Sequence, residues 1–189
     1  MQNPRHNAYL CSIVGKFSDM NSICNILQSA RCCTVAFTGR RTYAGEADEE
    51  LRLLVHDLCE RGFTRFMCGM SWGFDLAAGR IVAEYKVDHP YVELVAVEPF
   101  DGFRQMFSGA DAECYDSLLS VADERIVVSP KKESAYMLRN DFLVDNATIV
   151  VAWWDHVPSG GTAYTVKRAR KSRVEVVNLY PDPQLDFEF

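Results

Sequence analysis

No stretch of this chain approaches the roughly 18 consecutive apolar residues that a membrane-crossing helix needs, which excludes that class of protein. The sequence lacks a C-x-x-C pair, and its four histidines, His6, His56, His89 and His156, lie far apart, so no zinc site is expected. Neither G-x-G-x-x-G nor G-x-x-x-x-G-K-[ST] occurs, which removes the standard dinucleotide and P-loop fingerprints. An excess of basic residues is missing too. With 20 Lys and Arg against 26 Asp and Glu, the net charge of −6 suits a dedicated binder of nucleic-acid backbone poorly, although a local basic groove stays open. Internal repeats, linkers and shifts of composition are also absent.

What is present is ordinary globular composition, 48% apolar and 24% charged, in 189 residues. That length supports one ample core and is short for two independent domains. The seven cysteines follow no framework spacing. Adjacent Cys32 and Cys33, and Cys68 in an apolar run, read as buried thiols of a reducing cytosol, so a cytoplasmic location is expected. Residues 1–31 are expected to form an extra helix or a loose arm, because Lys16 and Asp19 cut short the apolar stretch that a secretory signal would need. A folded domain is expected over 32–180 and a tail over 181–189.

From Thr34 onward, short apolar runs alternate with amphipathic stretches. The runs at 34–37, 65–68, 92–97, 125–128, 148–153 and 174–179 are rich in Val, Ile or Phe without clean alternation, as expected of strands covered on both faces. Between them, Leu51, Leu54, Val55 and Leu58 follow helical spacing, as do Ala78, Ile81, Val82 and Tyr85, and then Tyr115, Leu118, Leu119 and Ala122. Alternation of this kind predicts β-α-β crossovers. The expected fold is a doubly wound α/β domain, with a mainly parallel sheet of about six strands and helices on both faces.

Ligands of such sheets bind beyond the carboxyl ends of the strands, near the point where strand order reverses. The segments after the runs are therefore the candidates. Thr38-Gly39-Arg40-Arg41 follows the first, and Arg40 is preferred over Arg41 as an anion partner. Gly69 to Asp75 follows the second: Gly69 and Gly73 allow a tight bend, while Asp75 would repel phosphate and suits a helix start or a ribose hydroxyl. Glu98-Pro99-Phe100 is expected to follow the third. After the fifth, Ser159-Gly160-Gly161-Thr162 opens a helix and forms the best anion cradle, with an ordinary capped turn as the alternative. Tyr136, Arg139 and Asn140 share one helical face, which serves either a ligand or a core helix with surface charges.

In combination these segments resemble the YpsA-like branch of the SLOG superfamily, which joins Smf/DprA DNA-processing proteins with LOG phosphoribohydrolases. The resemblance rests on 37–41, on Gly69 to Asp75 with Leu76-Ala77-Ala78, on Arg139-Asn140 with Val144-Asp145, and on Trp153-Trp154-Asp155 with Ser159-Gly160-Gly161-Thr162. It runs from about Cys33 to about Leu179. Such proteins usually carry Gly-His-Arg where this chain has Gly39-Arg40-Arg41. The resemblance implies a Rossmann-like fold and a pocket for a nucleotide or nucleotide-derived ligand. LOG enzymes cleave the N-glycosidic bond of nucleoside 5′-monophosphates with an Arg before the glycine turn and a Glu just after it. Arg139 matches the first, but no acid occurs between Thr162 and Lys167. Glycosidic cleavage needs a carboxylate, which Asp75, Glu98 or Asp145 would have to supply from another loop.

Three functions follow as expectations. The first is a nucleotide-ligand binding protein, a sensor or regulator, with neither metal nor cofactor. The second is a phosphoribohydrolase with a relocated acid. The third is DprA-like binding of single-stranded DNA, for which Lys167, Arg168, Arg170, Lys171 and Arg173 form a basic cluster; the same cations also suit a helix C-terminus. Phe103, Met106 and Phe107 lie either in the core or on the interface of a homodimer.

Overall fold

A computed structural model describes residues 32–181. The expected extension at 1–31 and all of the tail beyond Pro181 lie outside the described residues. The elements alternate as β1 (Thr34–Gly39), α1 (Asp48–Glu60), β2 (Arg65–Cys68), α2 (Phe74–Asp88), β3 (Glu93–Phe100), a 3-10 turn (Phe103–Met106) and α3 (Gly109–Val121). They continue as β4 (Glu124–Ser129), α4 (Ala135–Asp145), β5 (Ile149–Trp153), α5 (Gly161–Lys171) and β6 (Glu175–Asn178). All six strands are parallel, in the order β4-β3-β2-β1-β5-β6. The chain winds outward from β1 to β4, then returns through α4 to place β5 against the other side of β1. That reversal makes the β1/β5 seam the topological switch point.

Side chains alternate across the sheet and feed two cores. Val35 and Phe37 of β1, Phe66 and Cys68 of β2, and Ile149 and Val151 of β5 join the larger core, with Leu51, Val55 and Leu58 of α1 and Ile81 and Val82 of α2. Ala36, Met67, Val95, Val97 and Val150 point the other way, toward Leu143 and Val144 of α4 and Ala169 of α5. Both faces are covered, and this explains why the strand residues read as continuous apolar runs. Helix α1 starts with Asp48, Glu49 and Glu50, and α5 ends with Arg168, Arg170 and Lys171, so both complement the helix dipole. Among the described residues, no helix is long and apolar enough to cross a membrane.

Two expectations need correction. Strand β3 does not stop at Val97 but runs to Phe100, so Glu98 lies inside the strand and not in the loop after it. Pro99 is tolerated there because β2 has already ended, its last partner being Ala96, and β3 is unpaired on that side. The adjacent cysteines are not buried: Cys32 is exposed and Cys33 half-buried, whereas Cys59 and Cys68 are buried. Of the two places left open for Phe103, Met106 and Phe107, the core holds Phe103 and Phe107, while Met106 is exposed.

Candidate functional site

The loops at the carboxyl ends of β1 and β5, with the first turns of α2, α4 and α5, enclose a cavity of about 620 Å³. Small-molecule pockets commonly span roughly 300–1,000 Å³. Its wall contains Thr38, Gly39, Arg40, Asp75, Tyr136, Arg139, Asn140, Gly160, Gly161 and Thr162. Arg139 and the Gly160–Gly161 turn therefore face one space, although 20 residues of chain and strand β5 separate Arg139 from the helix-opening turn at Ser159.

Arg139 is the most constrained member. Its Nη1 donates to the Gly69 carbonyl oxygen at 2.6 Å and to Asp75 Oδ2 at 3.0 Å, and the two side chains are only 7% and 5% exposed. The buried Nε of the same guanidinium has no hydrogen-bond partner. Burial pushes the Asp75 carboxyl above the usual carboxylate range, while Arg139 and the Ser71 and Gly39 amides pull in the opposite direction. Gly69 stands behind this pair and not on the cavity wall. A Cβ there would lie 1.9 Å from Arg139 Nη1, so the guanidinium can pack only over a glycine.

The two helix starts at this edge differ in what they leave free. At α2, the Phe74 amide donates to the Arg40 carbonyl and the Leu76 amide to the Ser71 carbonyl, and Asp75 adds negative charge. At α5 no side chain caps the helix, and the Gly161 and Thr162 amides have no partner among the described residues. Gly160 holds φ at +93°, a conformation that suits glycine and turns the chain into the helix at the cavity wall. Asn140 Nδ2 donates to the Gly161 carbonyl at 3.4 Å and ties α4 to this turn. An uncapped helix start with free amides is an anion-binding surface.

Arg40 spans the switch point: its Nε and Nη2 both reach Asp155 Oδ1, at 2.9 and 2.6 Å. Burial raises the Asp155 carboxyl, but Arg40 and the Val157 amide outweigh it and hold the group below its ordinary range. A depressed carboxylate contributes stability above its unfolded value, here 3.8, and loses that contribution as pH falls through the lower folded value. The Tm advantage of the wild type over Asp155→Asn is therefore expected to be constant near neutrality and to vanish in acid below the ordinary carboxylate range. Thermal melts of both proteins across pH measure it, and a gap that persists unchanged in acid contradicts the assignment.

Four candidates named from the sequence stand elsewhere. Gly69 underlies Arg139, and Gly73 borders a second cavity of about 400 Å³ next to Trp72 and Arg80. Ser159 is exposed and off the wall. Glu98 is fully buried, where it accepts from the Tyr115 hydroxyl and from Arg125 Nε. Of the three acids considered for glycosidic cleavage, only Asp75 reaches the cavity; Asp145 is held by Arg168. The wall also includes Arg41, weighed above as the less favoured anion partner, and Thr42, Ser71, Met137, Asp155 and Tyr164, which were not among the expected ligand contacts. Asp155 was recoverable from its place directly after β5. Among the described residues, no three His, Cys, Asp or Glu side chains gather as metal ligands.

An all-parallel sheet with this order, and a cavity at its switch point walled by arginines and a glycine-opened helix, defines a Rossmann-like α/β domain. The sequence profile of the YspA SLOG family matches residues 47–187, and the chain belongs to that family. It is 27% identical over 133 residues to a UPF0398 protein of Halalkalibacterium halodurans, covering 69% of each chain. A UPF0398 protein of Bacillus cereus is 26% identical over 122 residues, covering 59% of this chain and 66% of the relative. Among solved structures, DNA processing protein A of Helicobacter pylori, described for its single-stranded DNA binding mode, superposes with a TM-score of 0.58. That match is 16% identical and covers 84% of this chain and 69% of the other, a likeness of fold.

Proposed function

We propose that the switch-point cavity binds a phosphorylated, nucleotide-derived small molecule, with a phosphoryl group at the α5 N-terminus. The observation that carries this reading is the buried Arg139 guanidinium, whose Nε is unpartnered, on the same wall as the uncapped Gly161 and Thr162 amides. Three guanidiniums, Arg40, Arg41 and Arg139, face two carboxylates, Asp75 and Asp155, so the wall carries a positive excess beside a positive helix end. Binding without turnover is favoured because Asp75 and Asp155 are each held by an arginine, leaving no free acid for glycosidic chemistry. Such a protein would act as a sensor or regulator.

A ligand that prefers the folded state raises its stability by mass action, about 2.7 kcal/mol at a hundred times Kd. Millimolar nucleoside mono- and diphosphates are therefore expected to raise Tm by several degrees, and the parent nucleosides much less. A nucleotide panel without any shift overturns the reading. Release of free base from a nucleoside monophosphate, lost in Asp75→Asn, would replace binding by hydrolysis. Single-stranded DNA binding, as described for the Helicobacter neighbour, has weaker support in this chain. Arg168, central to the basic cluster, is neutralised by Asp141 and Asp145, and Arg170 lies over Trp154 at 5.4 Å.

A further inference from the structure

Arg41 differs from the other cations of the cavity wall. Arg40 is held by Asp155 and Arg139 by Asp75, whereas Arg41 has no carboxylate partner among the described residues. Its exposed side chain rests on aromatic rings, with the guanidinium carbon 4.8 Å from the centre of Trp72 and 5.9 Å from that of Tyr136. Trp72 is itself stacked on Phe107 at 4.1 Å, so the ring is fixed and the arginine is the part free to move. Arg41 borders both the main cavity and the smaller one beside it. The α5 start lies instead beside Arg40, since a Cβ on Gly160 would stand 4.0 Å from Arg40 Nη1. The wall thus offers two separate places for negative charge.

On the reading of the cavity as a nucleotide-ligand pocket, we infer that Arg41 reads a second phosphoryl group, and that the ligand class is a nucleoside diphosphate or a longer phosphate ester. An exposed cation–π contact is weak. A phosphoryl group offers the planar guanidinium two charge-assisted hydrogen bonds, which are stronger. The arginine leaves Trp72 for the second phosphoryl group, while the first stays on the Gly161 and Thr162 amides. A monophosphate uses only the α5 place and leaves Arg41 on its ring.

The test is calorimetric titration of the full chain and its Arg41→Ala variant with adenosine 5′-monophosphate and 5′-diphosphate as probes. Arg41 is exposed and, among the described residues, held by no carboxylate, only by weak ring contacts, so a Tm of the ligand-free variant close to that of the wild type checks the fold. The wild type is expected to prefer the diphosphate. The variant is expected to lose roughly 10- to 100-fold in diphosphate affinity, the scale of a hydrogen bond to a charged group, with monophosphate affinity nearly unchanged. Equal losses for both nucleotides, or no loss for either, overturn the role of Arg41 and leave the pocket standing. Failure of the wild type to bind either nucleotide overturns the pocket reading and this inference with it.

Discussion

Replacing Arg139 with alanine is expected to cost about 3–5 kcal/mol of unfolding free energy, because it strands the buried Asp75 carboxylate without its counter-charge. That is a large share of the stability of an ordinary domain, roughly 5–15 kcal/mol in total. The pair is nearly solvent-free, and Arg139 also satisfies the Gly69 carbonyl, so its truncation leaves both acceptors without their donor. Guanidinium chloride denaturation of wild type and variant measures the loss. Adding Asp75→Asn to Arg139→Ala removes the stranded charge and is expected to recover part of it. A single variant as stable as the wild type, or a double variant worse than the single, would show that the two side chains do not act as an ion pair. Nucleotide-dependent stabilisation is expected to disappear in both variants.

Gly69→Ala is the second substitution with a large expected effect. Its Cβ would lie 1.9 Å from Arg139 Nη1 and 2.6 Å from Asp75 Oδ2, so both groups must shift toward the cavity whose wall they form. Overpacking typically costs about 1–3 kcal/mol, and here the added methyl group also breaks up the Arg139–Asp75 pair at the centre of the site. Gly161→Ala is the contrast. A Cβ there meets Asn140 Nδ2 at 3.5 Å, an ordinary contact, and the position needs no positive φ. Parallel melts should show a lowered midpoint and no ligand response for Gly69→Ala, against near wild-type stability for Gly161→Ala. Two indistinguishable midpoints would mean that the strand-end backbone yields more readily than the packed pair suggests.

The alternation of apolar runs and helical spacing carried the fold, since a strand covered on both faces and a helix covered on one leave different periods in the chain. The run at 65–68 coincides with β2 because Gly62 and Thr64 before it and Gly69 after it bound it closely. Strand β3 was less legible. Its last residues, Glu98 to Phe100, hold a carboxylate and a proline, and only the pairing with Val127 and Ser129 of β4 extends the strand through them. Residues lying just past a strand end, such as Arg40 and Asp155, could be placed at the site from the chain alone. Partnerships could not: Arg139 and Asp75 are 64 residues apart, and a carboxylate at a helix start reads as dipole chemistry until the opposing guanidinium is located. The preference for Arg40 over Arg41 met the same difficulty. Both line the cavity, but which of them is already neutralised depends on Asp155, 115 positions away from Arg40.

The Arg40–Asp155 bridge ties the outer winding of the sheet, β1 to β4, to the strand pair β5 and β6 laid down last in the chain. A small molecule lodged in the neighbouring cavity would cross the same divide and work as a removable cross-link between early and late sequence. Scarcity of that molecule would then leave more chains transiently open to proteases, so the amount of protein a cell keeps would follow its metabolite supply without any change in synthesis.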